Sequence, residues 1–117
     1  MRRILAIISA ATIAAAAIAQ DAANANAGEV RVLDKLTGEV TDIALNVGET
    51  WAVGFLKVTL NECRYPTTNP SGDAYLALEV LYQDQPAFAG WMLASSPALS
   101  AMDHPRYDVW PLRCITS

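Results

Sequence analysis

At 117 residues, with 8 basic against 12 acidic side chains and one histidine, the chain carries a formal net charge of −4 at pH 7. It has no basic cluster, which excludes the electrostatic footprint of a nucleic-acid or anionic-membrane binder. One histidine and two cysteines without a C-x-x-C pair are too few for a zinc site of the usual kind.

Arg2 and Arg3 precede an uncharged, Ala/Ile-rich run from Ile4 to Ile18. Ala17-Ile18-Ala19 then supplies the small-x-small pattern that a signal peptidase reads. Residues 1–19 are therefore expected to be a signal peptide, with Ala25-Asn26-Ala27 as a second candidate cut. The run is short for a bilayer span and largely alanine, so the expectation is export to the periplasm without a retained anchor. Losing Arg2 and Arg3 leaves six basic residues against twelve acidic ones, a net charge near −6. Residues 20–28 are small and polar and read as a flexible lead-in. Residues 29–117 then form one domain with a modest core, a size at which a staple helps. In an exported chain Cys63 and Cys114 read most simply as one disulfide. Their separation of 51 positions would be worth about 4 kcal/mol in the chain-entropy model.

The strands follow in order. Glu29 to Asp34 alternates Val30 and Val32 against charges. Lys35 to Glu39 turns about Gly38, and Val40 to Leu45 returns. Thr50 to Phe55 carries Trp51, Val53 and Phe55 on one face. Leu56 to Arg64 alternates Leu56, Val58 and Leu60 with polar residues, and Gly54 marks a bend between the two. Tyr65 to Gly72 is a loop by composition. Asp73 to Tyr82 and Ala87 to Leu93 are two more strands, separated by Asp84-Gln85-Pro86. Ser96 and Pro97 suit the cap and first position of a short helical turn near residues 96–103, with Leu99 and Met102 facing the core. Tyr107 to Cys114 is a last strand, and Pro111 places it at an edge or at an abrupt end. About seven short antiparallel strands with one helical turn predict an all-β fold, a small sandwich or partly open barrel.

Phe88 to Trp110 is the densest stretch. Ser95 or Ser96, His104, and Asp103 or Asp108 supply the residue types of a serine hydrolase. There is no G-x-S-x-G, however, and capping accounts for the serines. Asp103 and Asp108 flank a proline turn as glycosidase acids might, but the domain leaves little room for a sugar cleft. No calcium-loop pattern occurs. The remaining reading is a recognition surface made of Trp91, His104, Arg106, Tyr107 and Trp110, which include the residue types of interface hot spots. Trp91 is expected mainly in the core. Trp110 is open between core and contact surface.

The segments LDKLTGEVTDIALNVGET, LKVTLNECRYP and FAGWMLASSPALSAMDHPRYDVW, closed by Cys114, resemble the small exported bacterial family known as domain of unknown function 2155. The most specific part is Phe88-x-Gly90-Trp91-Met92-x-Ala94-Ser95-Ser96-Pro97-Ala98-Leu99, followed by His104-Pro105-x-Tyr107-Asp108-Val109-Trp110. The resemblance supports export and the Cys63–Cys114 pairing. It implies no catalytic residue, cofactor or metal. Its implied partner is a periplasmic face of an inner-membrane respiratory assembly, the NADH:quinone oxidoreductase, on which the chain would be an accessory or docking subunit. The reading is thus a non-catalytic binding or structural module. Its alternatives are a cell-envelope or wall-associated factor and a small hydrolase using Ser95 or Ser96 with His104.

Overall fold

The computed structural model describes residues 22–97 and 102–116. The expected signal peptide, residues 1–19, lies outside them, as does most of the helical turn expected near 96–103, including Leu99. Among the described residues eight strands follow in chain order: β1 Ala22–Ala25, β2 Ala27–Asp34, β3 Val40–Asn46, β4 Thr50–Val53, β5 Leu56–Pro66, β6 Tyr75–Tyr82, β7 Gln85–Leu93 and β8 Tyr107–Ile115. Every pairing is antiparallel. The larger, five-stranded sheet runs β1-β5-β6-β7, with β4 also paired to β5, and the smaller one runs β3-β2-β8. This is an all-β sandwich, one of the two arrangements that the alternating pattern predicts. Among the described residues no helix is long and apolar enough to cross a membrane.

Strand parity builds the core. Successive side chains of a strand point to opposite faces. In β6 this buries Leu76, Leu78 and Val80 completely and turns Tyr75, Ala77, Glu79 and Leu81 outward. In β5, Leu56, Val58 and Leu60 point in. A register shift between Leu60 and Glu62 resets the parity, so Cys63 also points in. Val30 and Val32 of β2, with Ile43 and Leu45 of β3, cover them from the smaller sheet. Each such side chain contributes on the order of 1.5–3 kcal/mol on burial.

Cys63 and Cys114 are bonded, joining β5 of one sheet to β8 of the other with their Cα atoms 5.8 Å apart. Gly28 stands opposite Cys114 in the β2–β8 register, and a Cβ on it would lie 2.9 Å from Cys63 Sγ. The glycine therefore leaves room for the sulfur bridge.

Several local expectations are corrected. The small, polar residues of the expected lead-in are strand. Ala22–Ala25 pair with Cys63–Pro66, and Ala27 and Gly28 already belong to β2. Short alanine and asparagine side chains give no alternating signal, but here the backbone hydrogen bonds suffice. Phe55 is not a strand residue. With Gly54, it forms the two-residue turn between Val53 and Leu56, which are paired. Gly54 has φ +59°, as the first position of such a turn requires. Trp91 is not in the core. Met92 takes the inward position of β7, and its neighbour Trp91 faces outward, 40% exposed. Pro86 does not end the chain's extended run but lies inside β7, beside a register irregularity. It is tolerated because β7 is an edge strand. Pro111 behaves as its sequence suggests, on edge strand β8.

Candidate binding surface

The turns at one end of the sandwich bring an aromatic cluster together. Phe55 comes from the β4–β5 turn, Tyr82 from the end of β6, His104 from the segment before β8, and Tyr107 from its start. Tyr82 lies with its ring centroid 4.4 Å from that of His104, 5.9 Å from that of Tyr107 and 6.2 Å from that of Phe55, the last edge-on. The Arg106 guanidinium caps the cluster, 5.1 Å from the Phe55 ring centroid and 5.3 Å from that of Tyr107. Cation–π contact of this kind favours a fixed arginine over a mobile one.

The polar groups here serve one another. Arg106 donates two hydrogen bonds to Asp34, from Nε at 3.3 Å and Nη2 at 3.0 Å. The Asp34 carboxylate also accepts from the backbone N–H groups of Leu36 and Thr37. The hydrogen bond from Arg106, then the two backbone donors, hold the Asp34 carboxyl below its ordinary range against the opposing effect of burial. The same pairing raises Arg106. His104 accepts at Nδ1 from the backbone N–H groups of Arg106 and Tyr107, at 3.1 and 3.2 Å. Its carbonyl accepts from Lys35 Nζ at 2.7 Å. The Phe55 N–H donates to Tyr107 Oη at 3.3 Å. A Cβ at residue 54 would lie 2.6 Å from that hydroxyl, which is a second reason for glycine there.

Phe55 is half exposed, and Arg106 retains some access, so the end presents an aromatic ring and a rigid cation to solvent. A cavity of 80 Å³ opens beside Tyr107, Gly54 and Asp34. That is well below the roughly 300–1,000 Å³ of small-molecule sites. The arrangement suits contact with a protein surface better than enclosure of a ligand.

The structure separates the residues that the sequence groups. His104, Arg106 and Tyr107 meet at this end. Trp91 lies on the outer face of the larger sheet, beside Ala77. Trp110 lies half-buried on the outer face of the smaller sheet, opposite Arg31, so the two tryptophans are on opposite sides of the molecule. Sequence reading missed Phe55 and Tyr82, which reach the cluster only through hairpin turns. Their aromatic character was the one available signal.

The hydrolase constellation is not assembled. Ser95 Oγ donates to Asp73 Oδ2 at 2.7 Å, just before β6 begins. His104 packs on Tyr82 at the other end of β6, a strand that spans roughly 23 Å. Asp108 pairs with Lys35. Among the described residues, no three His, Cys, Asp or Glu side chains are placed to hold a metal.

A family model described as "Uncharacterized protein conserved in bacteria (DUF2155)" matches residues 28–114. A curated, uncharacterized protein of Rickettsia prowazekii (strain Madrid E) is 32% identical over 92 residues, covering 74% of this chain and 59% of the relative. The chain thus spans about three fifths of that relative's length. No solved structure matches it.

Proposed function

Because the chain belongs to the DUF2155 family of bacterial proteins, we propose that it is an exported, periplasmic binding module without catalysis, acting as an accessory subunit of an inner-membrane respiratory assembly of the NADH:quinone oxidoreductase kind. One observation carries the docking part of this reading: Arg106 and Phe55, residue types that anchor interfaces, are held rigidly at the turn end by Asp34, Tyr107 and the His104 loop. A preorganised arginine–aromatic patch loses little side-chain freedom on binding. The non-catalytic part is supported by the engagement of Ser95 with Asp73 and by the two backbone donors on His104 Nδ1. Export rests on the Arg2-Arg3 leader pattern and the disulfide. The respiratory partner rests on the family resemblance.

The test is retention of solubilised membrane complexes by the immobilised chain, with Phe55→Ala as control. Phe55 is an exposed turn residue, so the change spares the core. We expect the wild type to retain a respiratory complex and the variant to lose at least 10-fold of it, as removing one interface anchor would. Equal retention by both baits, or capture of cell-wall material alone, would defeat the proposal. The second outcome would favour an envelope factor.

A further inference from the structure

The two outer faces of the sandwich treat their charges differently. On the smaller sheet, Arg31 pairs with Asp42 and Arg113 with Glu29 across neighbouring strands, and Lys35 pairs with Asp108. On the larger sheet Lys57 pairs with Asp84, but Arg64 has no carboxylate partner among the described residues. It is the one lysine or arginine among the described residues outside an ion pair. Its Nε is sealed from solvent without a hydrogen-bond partner among the described residues. Glu62 and Glu79, on the same face, also lack a cation among the described residues. The guanidinium has already lost part of its hydration, so a carboxylate brought close is worth more to it than to a solvated arginine.

Register places these charges around an apolar patch. Arg64 stands opposite Tyr75, which stands opposite Leu93. In the next row Glu62 and Trp91 flank Ala77. Trp91 therefore rises beside small neighbours, Ala77 and Ala89, and makes a knob next to a hollow on one surface. β7 carries no charge anywhere in its nine residues, so the edge beside the patch lacks the charges that blunt such edges.

We propose that this outer face of the five-stranded sheet is a two-fold interface between two copies of the chain, with Trp91 seated over the partner's Ala77–Ala89 hollow and Arg64 set against the partner's Glu62 and Glu79. One surface holding an unpaired cation, unpaired carboxylates, a knob and a hollow is self-complementary, which is what an isologous contact requires. A single two-fold operation satisfies both signs of charge at once. The three long strands β5, β6 and β7, over roughly 23 Å, present on the order of 300 Å² per copy, which places the contact in the class of weak, transient interfaces. The dimer is accordingly reversible.

Sedimentation velocity of the oxidised protein, from about 1 to 500 µM, tests this independently of the docking end. The weight-average mass should rise toward the dimer, and Arg64→Glu or Trp91→Asp should weaken association at least 10-fold. Phe55→Ala should leave it unchanged. Mixing Arg64→Glu with a Glu62→Arg/Glu79→Arg variant should restore a heterodimer that neither forms alone, a result no folding defect can imitate. If Arg64→Glu does not fold, Trp91→Asp, at an exposed position, carries the test. A monomer at all concentrations, a dimer indifferent to both substitutions, or no rescue in the mixture would overturn the interface.

Discussion

Asp34 illustrates how one side chain organises the turn end. It fixes Arg106 and caps the β2–β3 turn through Leu36 and Thr37. Its carboxyl is held below the ordinary value, as are those of Asp42, through Arg31, and Glu49, through the Asn46 N–H and Trp51. The unfolded chain therefore binds protons more readily than the folded one in the carboxylate range. The stabilisation is complete above the unfolded value, about 4, and disappears as pH falls through the lower folded values. The melting temperature should be level from about pH 7 to 5 and fall below that. Asp34→Asn should lower it at neutral pH and make the acid decline shallower, readable by calorimetry at several pH values. An acid decline as steep as the wild type's would show that Asp34 does not contribute. Little of this network is legible in sequence. Asp34 and Arg106 are 72 positions apart, and only the sheet register brings them together. Trp91 was misplaced for a related reason. In β7 both alternating sets, Phe88-Gly90-Met92 and Ala89-Trp91-Leu93, are apolar, so periodicity alone does not say which faces in.

At the scale of elements, strand alternation made most of the sandwich readable. β2, β3, β5, β6, β7 and β8 lie close to where the pattern puts them, because each has one buried face. β1, with the sequence AANA, has no large apolar side chain and gives no alternating signal. The β6–β7 hairpin shows a different limit. Its two-residue turn is Gln83-Asp84, both in the left-handed region at φ +49° and +64°. Residues with a Cβ are strained there, and Asn-Gly is the usual choice. Gln83→Asn with Asp84→Gly should therefore stabilise the protein by on the order of 1 kcal/mol, less what is lost with the exposed Lys57–Asp84 pair. Denaturant titration of the double variant checks this. An unchanged or lower midpoint would mean that the ion pair outweighs the backbone strain.

For the whole molecule, the disulfide and the core jointly hold the two sheets in one arrangement, and the turn end and the larger sheet's outer face are supported by that arrangement. Cys63 is 1% exposed, and part of its cover is β1, where Ala25 stands directly opposite it in register. Under the proposed export, the choice between the two candidate processing points would thus have a chemical consequence. A cut after Ala19 keeps β1 on the sheet. A cut after Ala27 removes it and strips the edge of β5 beside the sulfur. The shorter form should consequently lose its disulfide to a thiol reductant several-fold faster, measured by alkylation and mass spectrometry under native conditions. Equal rates would show that β1 does not shield the bond. If the proposed leader is removed, the point of cleavage would then set how long the protein survives a reducing episode, a lifetime written into the backbone by a single peptide bond.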